Sequence, residues 1–329
     1  MSEKFRWGVI GCGQIAPKFF QALENTGEGG VVAAASKSMH RAKRLQKKVG
    51  IEHVYGSYEE MLEREKLDAV YIATSHNFHY ENAKLCLNYG LPVLIEKAFT
   101  RNQKEAEEVV DLAGQKNLFC MEAMWTRFNP ATVKIRELIA EGAIGEVKHL
   151  KADFCVKMQP SIKTMPWNRM YSPRLAGGAL LDLGVYSIAY AQMVFGQRPV
   201  RVSSSTQMAW TGVDKTSEYH FEYPGGRRAD LSSSFVEERP RVAVITGTRG
   251  IIRVPHFPGA DQLTITRPGR APETIECEPN GFEHEIREVH RCLREGRIES
   301  PIMPLNETVE IMRTMDALRA QWGMKYPGE

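Results

Sequence analysis

Along the first third of the chain, short apolar runs alternate with polar stretches long enough to be helices. The runs are Phe5–Ile10, 30–35, 69–74, 92–95 and 118–121. That rhythm predicts βαβ units and a parallel sheet, because each strand is followed by a segment able to cross back over the sheet. Gln103–Lys116 is predicted helical: Asn102 can cap its first turn, and Glu105 stands three residues on in capping-box fashion.

The pattern changes after Asn129-Pro130. A helical stretch (131–141), a strand (146–156), a loop bearing Pro and Met, and a long apolar helical stretch (179–195) follow one another. From 200 to about 277 apolar and polar residues alternate, as in Tyr219-His220-Phe221-Glu222-Tyr223, with turn signals at Pro224-Gly225-Gly226 and Thr248-Arg249-Gly250. No helix pattern interrupts these strands, so an antiparallel sheet is expected. Helical patterns at 283–295 and Leu305–Gln321 end the chain. The reading is an α/β protein: a doubly wound parallel sheet of Rossmann type over 1–123, then an α+β domain over 124–304. The last helix, about 305–322, is expected to pack back on the first domain.

Length agrees, since 329 residues exceed one ordinary core. No uninterrupted apolar run approaches the roughly 20 residues of a membrane span, and the first residues lack the apolar core of a secretory signal. Six scattered cysteines with no C-x-x-C pair suggest neither a disulfide framework nor a zinc site, and point to a reducing cytoplasm. A net charge of +3, spread over stretches of mixed sign, argues against nucleic acid as a partner.

Directly after the first strand comes Gly11-Cys12-Gly13-Gln14-Ile15-Ala16, a G-x-G-x-x-A turn leading into a helix. The first glycine makes the turn, the second lets backbone approach a pyrophosphate, and the small third residue admits helix against strand. Gly11, Gly13, Gln14 and Ile15 are therefore candidate cofactor contacts. An NAD enzyme usually carries an acid at the end of the second strand to hold the ribose 2′-hydroxyl. Here that place reads Ser36-Lys37-Ser38, with Arg41 nearby, which suits the 2′-phosphate of NADP better than NAD. If Lys37 and Arg41 are only solvated charges at a helix start, the preference loosens rather than reverses.

A strand over 92–96 ends in Glu96-Lys97, and ligands of parallel sheets lie beyond the carboxyl ends of strands. Much later, Asp182 and Tyr186 stand four apart in the apolar stretch that follows Gly177-Gly178. Oxidation of an alcohol needs a base for the hydroxyl proton, and a tyrosine with pKa about 10 is a poor one at neutral pH. Lowering it by two to three units takes roughly 3–4 kcal/mol; a unit charge about 4 Å away at an effective dielectric of about 20 supplies about 4 kcal/mol. Tyr186 is thus a candidate acid/base, Lys97 the cation that tunes it, and Asp182 an orienting group for substrate or for Lys97. The plainer alternatives are a surface Glu96–Lys97 ion pair and an Asp182 that caps local backbone.

Taken together, Gly11–Ala16, Ala73-Thr74 with His79, Glu96-Lys97, the stretch Glu122-Ala123-Met124-Trp125-Thr126-Arg127-Phe128 and the stretch from Gly177 to Tyr186 resemble the glucose–fructose oxidoreductase/inositol dehydrogenase superfamily. The likeness covers nearly the whole chain. It is strongest to the dimeric dihydrodiol dehydrogenase branch, which has a tyrosine where the sugar dehydrogenases generally have histidine. The resemblance implies NADP chemistry on a cyclic polyol, an aldose or a trans-dihydrodiol. It also implies a large open antiparallel sheet in the second domain, a homodimer formed through that sheet, and cofactor contacts from Thr74, His79, Glu96 and Lys97. Two positions depart from the superfamily: E-K-P reads Glu96-Lys97-Ala98, so a cis prolyl bond is not expected, and T-P-x-x-x-H reads Thr74 to His79 with Ser75 in place of proline.

Trp125, Arg127 and Phe128 are candidates to line a ring-binding pocket, Trp125 serving equally as core packing. Trp167 and Arg169 are candidates for a lid. His76 and His79 have no third ligand at convincing spacing, so no metal is expected, and His79 is read as contacting cofactor or backbone. Two other functions stay open. A non-catalytic NADP sensor is disfavoured by the presence of Lys97, Asp182 and Tyr186. A redox glycosidase with retained NAD is disfavoured by the missing acid at Ser36.

Overall fold

The computed structural model describes residues 4–158 and 168–329. By its internal contacts the chain forms two compact units, one of residues 1–125 and 281–309, the other of 126–280 and 310–329.

The first unit is built on a six-stranded parallel sheet of order β3-β2-β1-β4-β5-β6. Its strands are β1 (Phe5–Ile10), β2 (Gly29–Ala35), β3 (His53–Tyr55), β4 (Ala69–Ile72), β5 (Val93–Glu96) and β6 (Cys120–Ala123). Helices α1 (Ala16–Thr26), α2 (Met39–Val49), α3 (Tyr58–Arg64), α4 (His79–Asn88) and α5 (Gln103–Lys116) connect them. Helix α5 has the expected bounds, and the Asn102 side chain accepts the Glu105 N–H at 2.9 Å. Strands β4, β5 and β6 are buried throughout, as expected of a sheet covered on both faces. Strand order reverses between β1 and β4, and the loops after these strands open on the crevice where such sheets bind ligands.

The second unit contains α6 (Pro130–Ala140), β7 (Val147–Cys155), α7 (Val185–Phe195) and seven further strands. These are β8 (Arg201–Met208), β9 (Asp214–Tyr223), β10 (Arg227–Ser234), β11 (Ala243–Gly247), β12 (Ile251–Val254), β13 (Gln262–Thr266) and β14 (Glu273–Glu276). They form one eight-stranded sheet, β14-β13-β12-β11-β7-β10-β9-β8. The sheet is not wholly antiparallel, because β7 pairs with β10 in parallel. Between those two strands the chain passes through α7 and the β8–β9 hairpin, a connection long enough to return in the same direction. The stretch 173–195 is apolar and long enough to cross a membrane, but 94% of its most apolar window is buried inside the protein, so it serves as core.

The end of the chain departs from the expected division. Helix α8 (Glu283–Arg294) belongs to the first unit: Trp7 Nε1 donates to His290 at 2.9 Å, Phe5 stacks on the His290 ring, and Asn25 of α1 donates to Glu283 at 2.7 Å. Helix α9 (Leu305–Gln321) starts in the first unit and continues in the second. There Gln321 bonds Val202 and Ser204 of β8, and Trp322 Nε1 donates to Ser204 at 2.9 Å. These bonds tie the end of α9 to the antiparallel sheet, where the pattern suggested a return to the nucleotide domain.

Candidate active site

Gly11 begins the first loop with φ of 102°, and its N–H donates to Ala35 O at 2.9 Å. A Cβ there would lie 2.6 Å from Ala73 O, so only glycine fits. Gly13 differs: a Cβ would meet nothing closer than 3.7 Å, and its φ is not in the left-handed region. Packing within the chain does not demand glycine at 13, whereas backbone approach of a pyrophosphate does. Helix α1 follows with no side-chain cap; Pro17 has no N–H and the Lys18 N–H donates to Ile15 O at 2.9 Å, so the first-turn amide an anion could take is that of Ala16. Burial pushes the Cys12 thiol up to about 11, so it stays neutral beside that anion site.

At the end of β2, Ser36 is buried and its hydroxyl accepts the Ser38 N–H at 3.2 Å; the Ser38 hydroxyl in turn accepts the Arg41 N–H at the start of α2. Lys37 and Arg41 are exposed. The Lys37 ammonium lies 5.4 Å from the Phe78 ring and 5.9 Å from the Tyr58 ring, and the first turn of α2 carries no acid. The donor set fits a phosphorylated ribose.

Lys97 follows directly on β5. The residues beside it are held by three side chains from other elements, one of them on the Glu96 side chain and two on backbone. Tyr71 of β4 donates its hydroxyl to Glu96, at the end of β5. His79 of α4 has Nδ1 2.9 Å from Ala98 O and Nε2 3.1 Å from Thr74 O. Glu122 of β6, fully buried, accepts the Phe99 N–H at 3.2 Å and the Thr308 hydroxyl at 3.1 Å. The Lys97–Ala98 peptide is cis, so the chain adopts without proline the geometry that the alanine was expected to exclude. Burial lowers His79 to about 4, against the opposing pull of the two carbonyls. The ring is therefore neutral at pH 7, and donates to one carbonyl. Both nitrogens face backbone, which is the second of the two roles open to His79. Burial, with the Glu96 charge adding to it, holds Glu285 of α8 well above the carboxylate range.

In the second unit the segment predicted as one α-helix over 179–195 opens with a π-helical turn, Leu180–Gly184, before α7. Such turns are frequent at functional sites. Asp182 lies in it, nearly buried, and accepts Arg169 Nη1 at 2.9 Å. That ion pair occupies one carboxylate oxygen, a partner the sequence reading did not foresee. Tyr186, in the first turn of α7, is 8% exposed, with the Phe154 ring centroid 5.3 Å from its own.

Trp125 is half-buried and packs its ring edge-on against Phe282 of the first unit at 5.7 Å. Arg127 and Phe128 fall in the second unit, both buried. Trp167 lies outside the described residues. The sequence reading passed over Tyr71 and, as a site residue, Glu122; a buried acid in the apolar strand 120–123 was the available signal for Glu122.

Residues 5–124 match the family profile described as an oxidoreductase family with an NAD-binding Rossmann fold, and residues 132–253 match the GFO/IDH/MocA C-terminal domain. Over the full chain there is 33% identity to a trans-1,2-dihydrobenzene-1,2-diol dehydrogenase of Mus musculus, covering 98% of each protein. The Xenopus laevis protein of the same name is 35% identical, covering 98% of this chain and 99% of its own. Among solved structures, a 3-ketoreductase from Actinomadura kijaniata in complex with NADP and TDP-benzene superposes with TM-score 0.85 at 26% identity, covering 97% of this chain and 98% of its own. An aldose-aldose oxidoreductase from Caulobacter crescentus shares the fold, with TM-score 0.86 at 20% identity and 98% of each chain covered.

Proposed function

Because the chain belongs to the GFO/IDH/MocA family of oxidoreductases, we propose that it is an NADP-dependent dehydrogenase moving a hydride between the nicotinamide and the CH–OH carbon of a small cyclic substrate. The observation that carries the reading is the threefold hold on the residues beside Lys97, beyond the carboxyl end of β5. A lysine needed only for solubility gains nothing from buried tyrosine, histidine and glutamate groups fixing the residues beside it. The relatives' names put trans-dihydrodiols first as substrates; cyclic polyols and aldoses stand beside them as what the family resemblance implies.

A bound nicotinamide would supply the hydride acceptor as NADP⁺ and the donor as NADPH. Tyr186 takes the hydroxyl proton in oxidation and returns it in reduction. Lys97 supplies the cation that makes a tyrosine competent at neutral pH and hydrogen-bonds the reacting oxygen. Asp182, fixed by Arg169, orients the substrate. Gly11, Gly13, Gln14 and Ile15 take the pyrophosphate, while Ser36, Lys37 and Arg41 take the 2′-phosphate. Thr74, His79 and Glu96 complete the cofactor side, His79 by holding the backbone at Ala98 and Thr74, and Glu96 through its bond with Tyr71. Arg127 and Phe128, with Trp125 and Trp167, are assigned to the substrate side. That crystal structures of the A. kijaniata 3-ketoreductase include tyrosine-to-phenylalanine and lysine-to-alanine variants supports the choice of these two residue types.

The reading also makes the protein a homodimer through the eight-stranded sheet, in the cytoplasm; the six cysteines, all free thiols, suit a reducing compartment. Light scattering that finds a monomer at micromolar concentration would remove the dimer. The deciding test of function follows NADP⁺ reduction at 340 nm against trans-dihydrodiols, inositols and aldoses, repeated with NAD⁺ and with Tyr186→Phe. Turnover that prefers NADP⁺ and depends on Tyr186 is expected. Tight NADP binding with no turnover on any of them would point to a sensor.

A further inference from the structure

We propose that Asp214 and Tyr326 are positioning residues for the segment carrying Asp182 and Tyr186, together gripping the Gly177-Gly178 turn from which that segment starts. The inference rests on the assignment of Tyr186 as acid/base.

Asp214 is the first residue of β9 and is fully buried. Its Oδ2 accepts the Leu180 N–H at 2.8 Å and the Ser217 hydroxyl at 3.3 Å. No side chain near in sequence caps the π-helical turn, so a residue 34 positions away holds its start. Oδ1 reaches so close to Gly178 that a Cβ there would stand 2.2 Å from it; Gly178, at φ 113°, keeps the approach open. From the other side, the buried Tyr326 hydroxyl donates to Gly177 O at 2.7 Å. Tyr326 holds the carbonyl of Gly177 and Asp214 the amide of Leu180, so the two bonds bracket Gly178, a residue with little conformational preference of its own. Asp182 and Tyr186 are four positions apart in this segment, so a shift at the start of the turn moves both side chains.

The grip depends on charge. Burial raises the Asp214 carboxyl to about 6, with the Leu180 N–H and Ser217 hydroxyl pulling the other way. The titratable groups facing it are Tyr219 of its own strand and Tyr326, both held well above the usual tyrosine range by burial and so neutral throughout. Beyond Tyr326, Arg319 and Glu329 form an ion pair at 2.7 Å. Below pH 6 Asp214 takes up a proton and accepts more weakly from Leu180.

Asp214→Asn mimics the protonated form. It is expected to lower kcat at least tenfold while the Kd for NADP stays within twofold. It should also abolish an acid limb with apparent pKa near 6 that the wild type shows. Tyr326→Phe should lower kcat about three- to tenfold at every pH and keep that limb. An Asp214→Asn enzyme with kcat within threefold of wild type and the limb intact overturns the proposal. Should that variant not fold, hydrogen exchange on the wild-type protein decides. Amides over 179–186, corrected for intrinsic rates, should lose protection between pH 7.5 and 5.5 while those of β9 do not; equal behaviour overturns the proposal. If Tyr186→Phe keeps full turnover, the catalytic assignment fails on its own, and the exchange measurement still decides the grip.

Discussion

Replacing Glu122 with alanine tests whether the backbone around Lys97 is held from below. The carboxylate is fully buried and accepts from the Phe99 N–H and the Thr308 hydroxyl. Without it, the Phe99 amide is left buried without this acceptor, which costs about 1–3 kcal/mol. The Thr308 hydroxyl can rotate toward another acceptor, so its loss is smaller, but the missing side-chain volume adds about 1–2 kcal/mol. Together these give a destabilisation of about 2–5 kcal/mol, a large share of the 5–15 kcal/mol that holds a typical domain folded. Glu122→Gln is the control: its amide oxygen can take the Phe99 N–H and its NH₂ can donate to the Thr308 oxygen, so it should recover more than half of the loss. Urea unfolding at pH 7 measures both. Turnover should fall further than stability alone explains, because a shift of about 1 Å in a catalytic group is worth roughly a hundredfold in rate. An alanine variant within about 0.5 kcal/mol of wild type, less than the loss of a buried amide's acceptor should cost, with kcat unchanged would refute the argument.

Three further outcomes are expected. Lys37→Ala should weaken NADP about 10- to 100-fold and leave NAD nearly unchanged, since one charge-assisted bond to a phosphate is worth about 1.5–3 kcal/mol; equal losses for both cofactors in a fluorescence titration would make Lys37 a solvent-facing charge only. Gly11→Ala places a Cβ 2.6 Å from Ala73 O at a φ of 102°, so NADP binding and the thermal midpoint should both drop sharply, and a variant that binds normally would contradict the packing of that turn. His79, neutral when buried, has its folded pKa lowered from 6.5 to about 4. The unfolded chain therefore binds the extra proton, and the stability this group contributes is full above pH 6.5. It is lost as pH falls toward 4, by about 1.4 kcal/mol per unit and about 3 kcal/mol in all. Asp214 acts with opposite sign between 3.8 and about 6, so His79→Gln should flatten the acid loss seen in urea melts, and an unchanged slope would count against a neutral His79.

Most of the fold was legible because its signals are local. The glycine turn, the apolar strand runs and the Asn102 cap each act within a few residues, and the parallel sheet follows from their order. Strand β3 escaped because three partly exposed residues carry no period. Helix α8 was assigned to the wrong unit because an amphipathic helix reveals which of its faces is apolar but not which surface covers that face.

The candidate site divides along the same line. Residues offered for chemistry were found by type and position, as Lys97 was by ending a parallel strand. Residues that hold them were not: Glu122 reaches the Phe99 amide across 23 positions, Asp214 reaches Leu180 across 34, and Tyr326 reaches Gly177 across 149. Nothing local marks these pairings, and only Glu122 leaves a trace in the sequence, as an acid in the apolar strand 120–123. A buried acid is costly enough that it persists only where it is paired. Glu122 in the strand 120–123 is therefore where a search for supporting residues in such a chain should begin, whereas Asp214, followed by Lys215-Thr216-Ser217-Glu218, reads like a surface acid until the fold buries it.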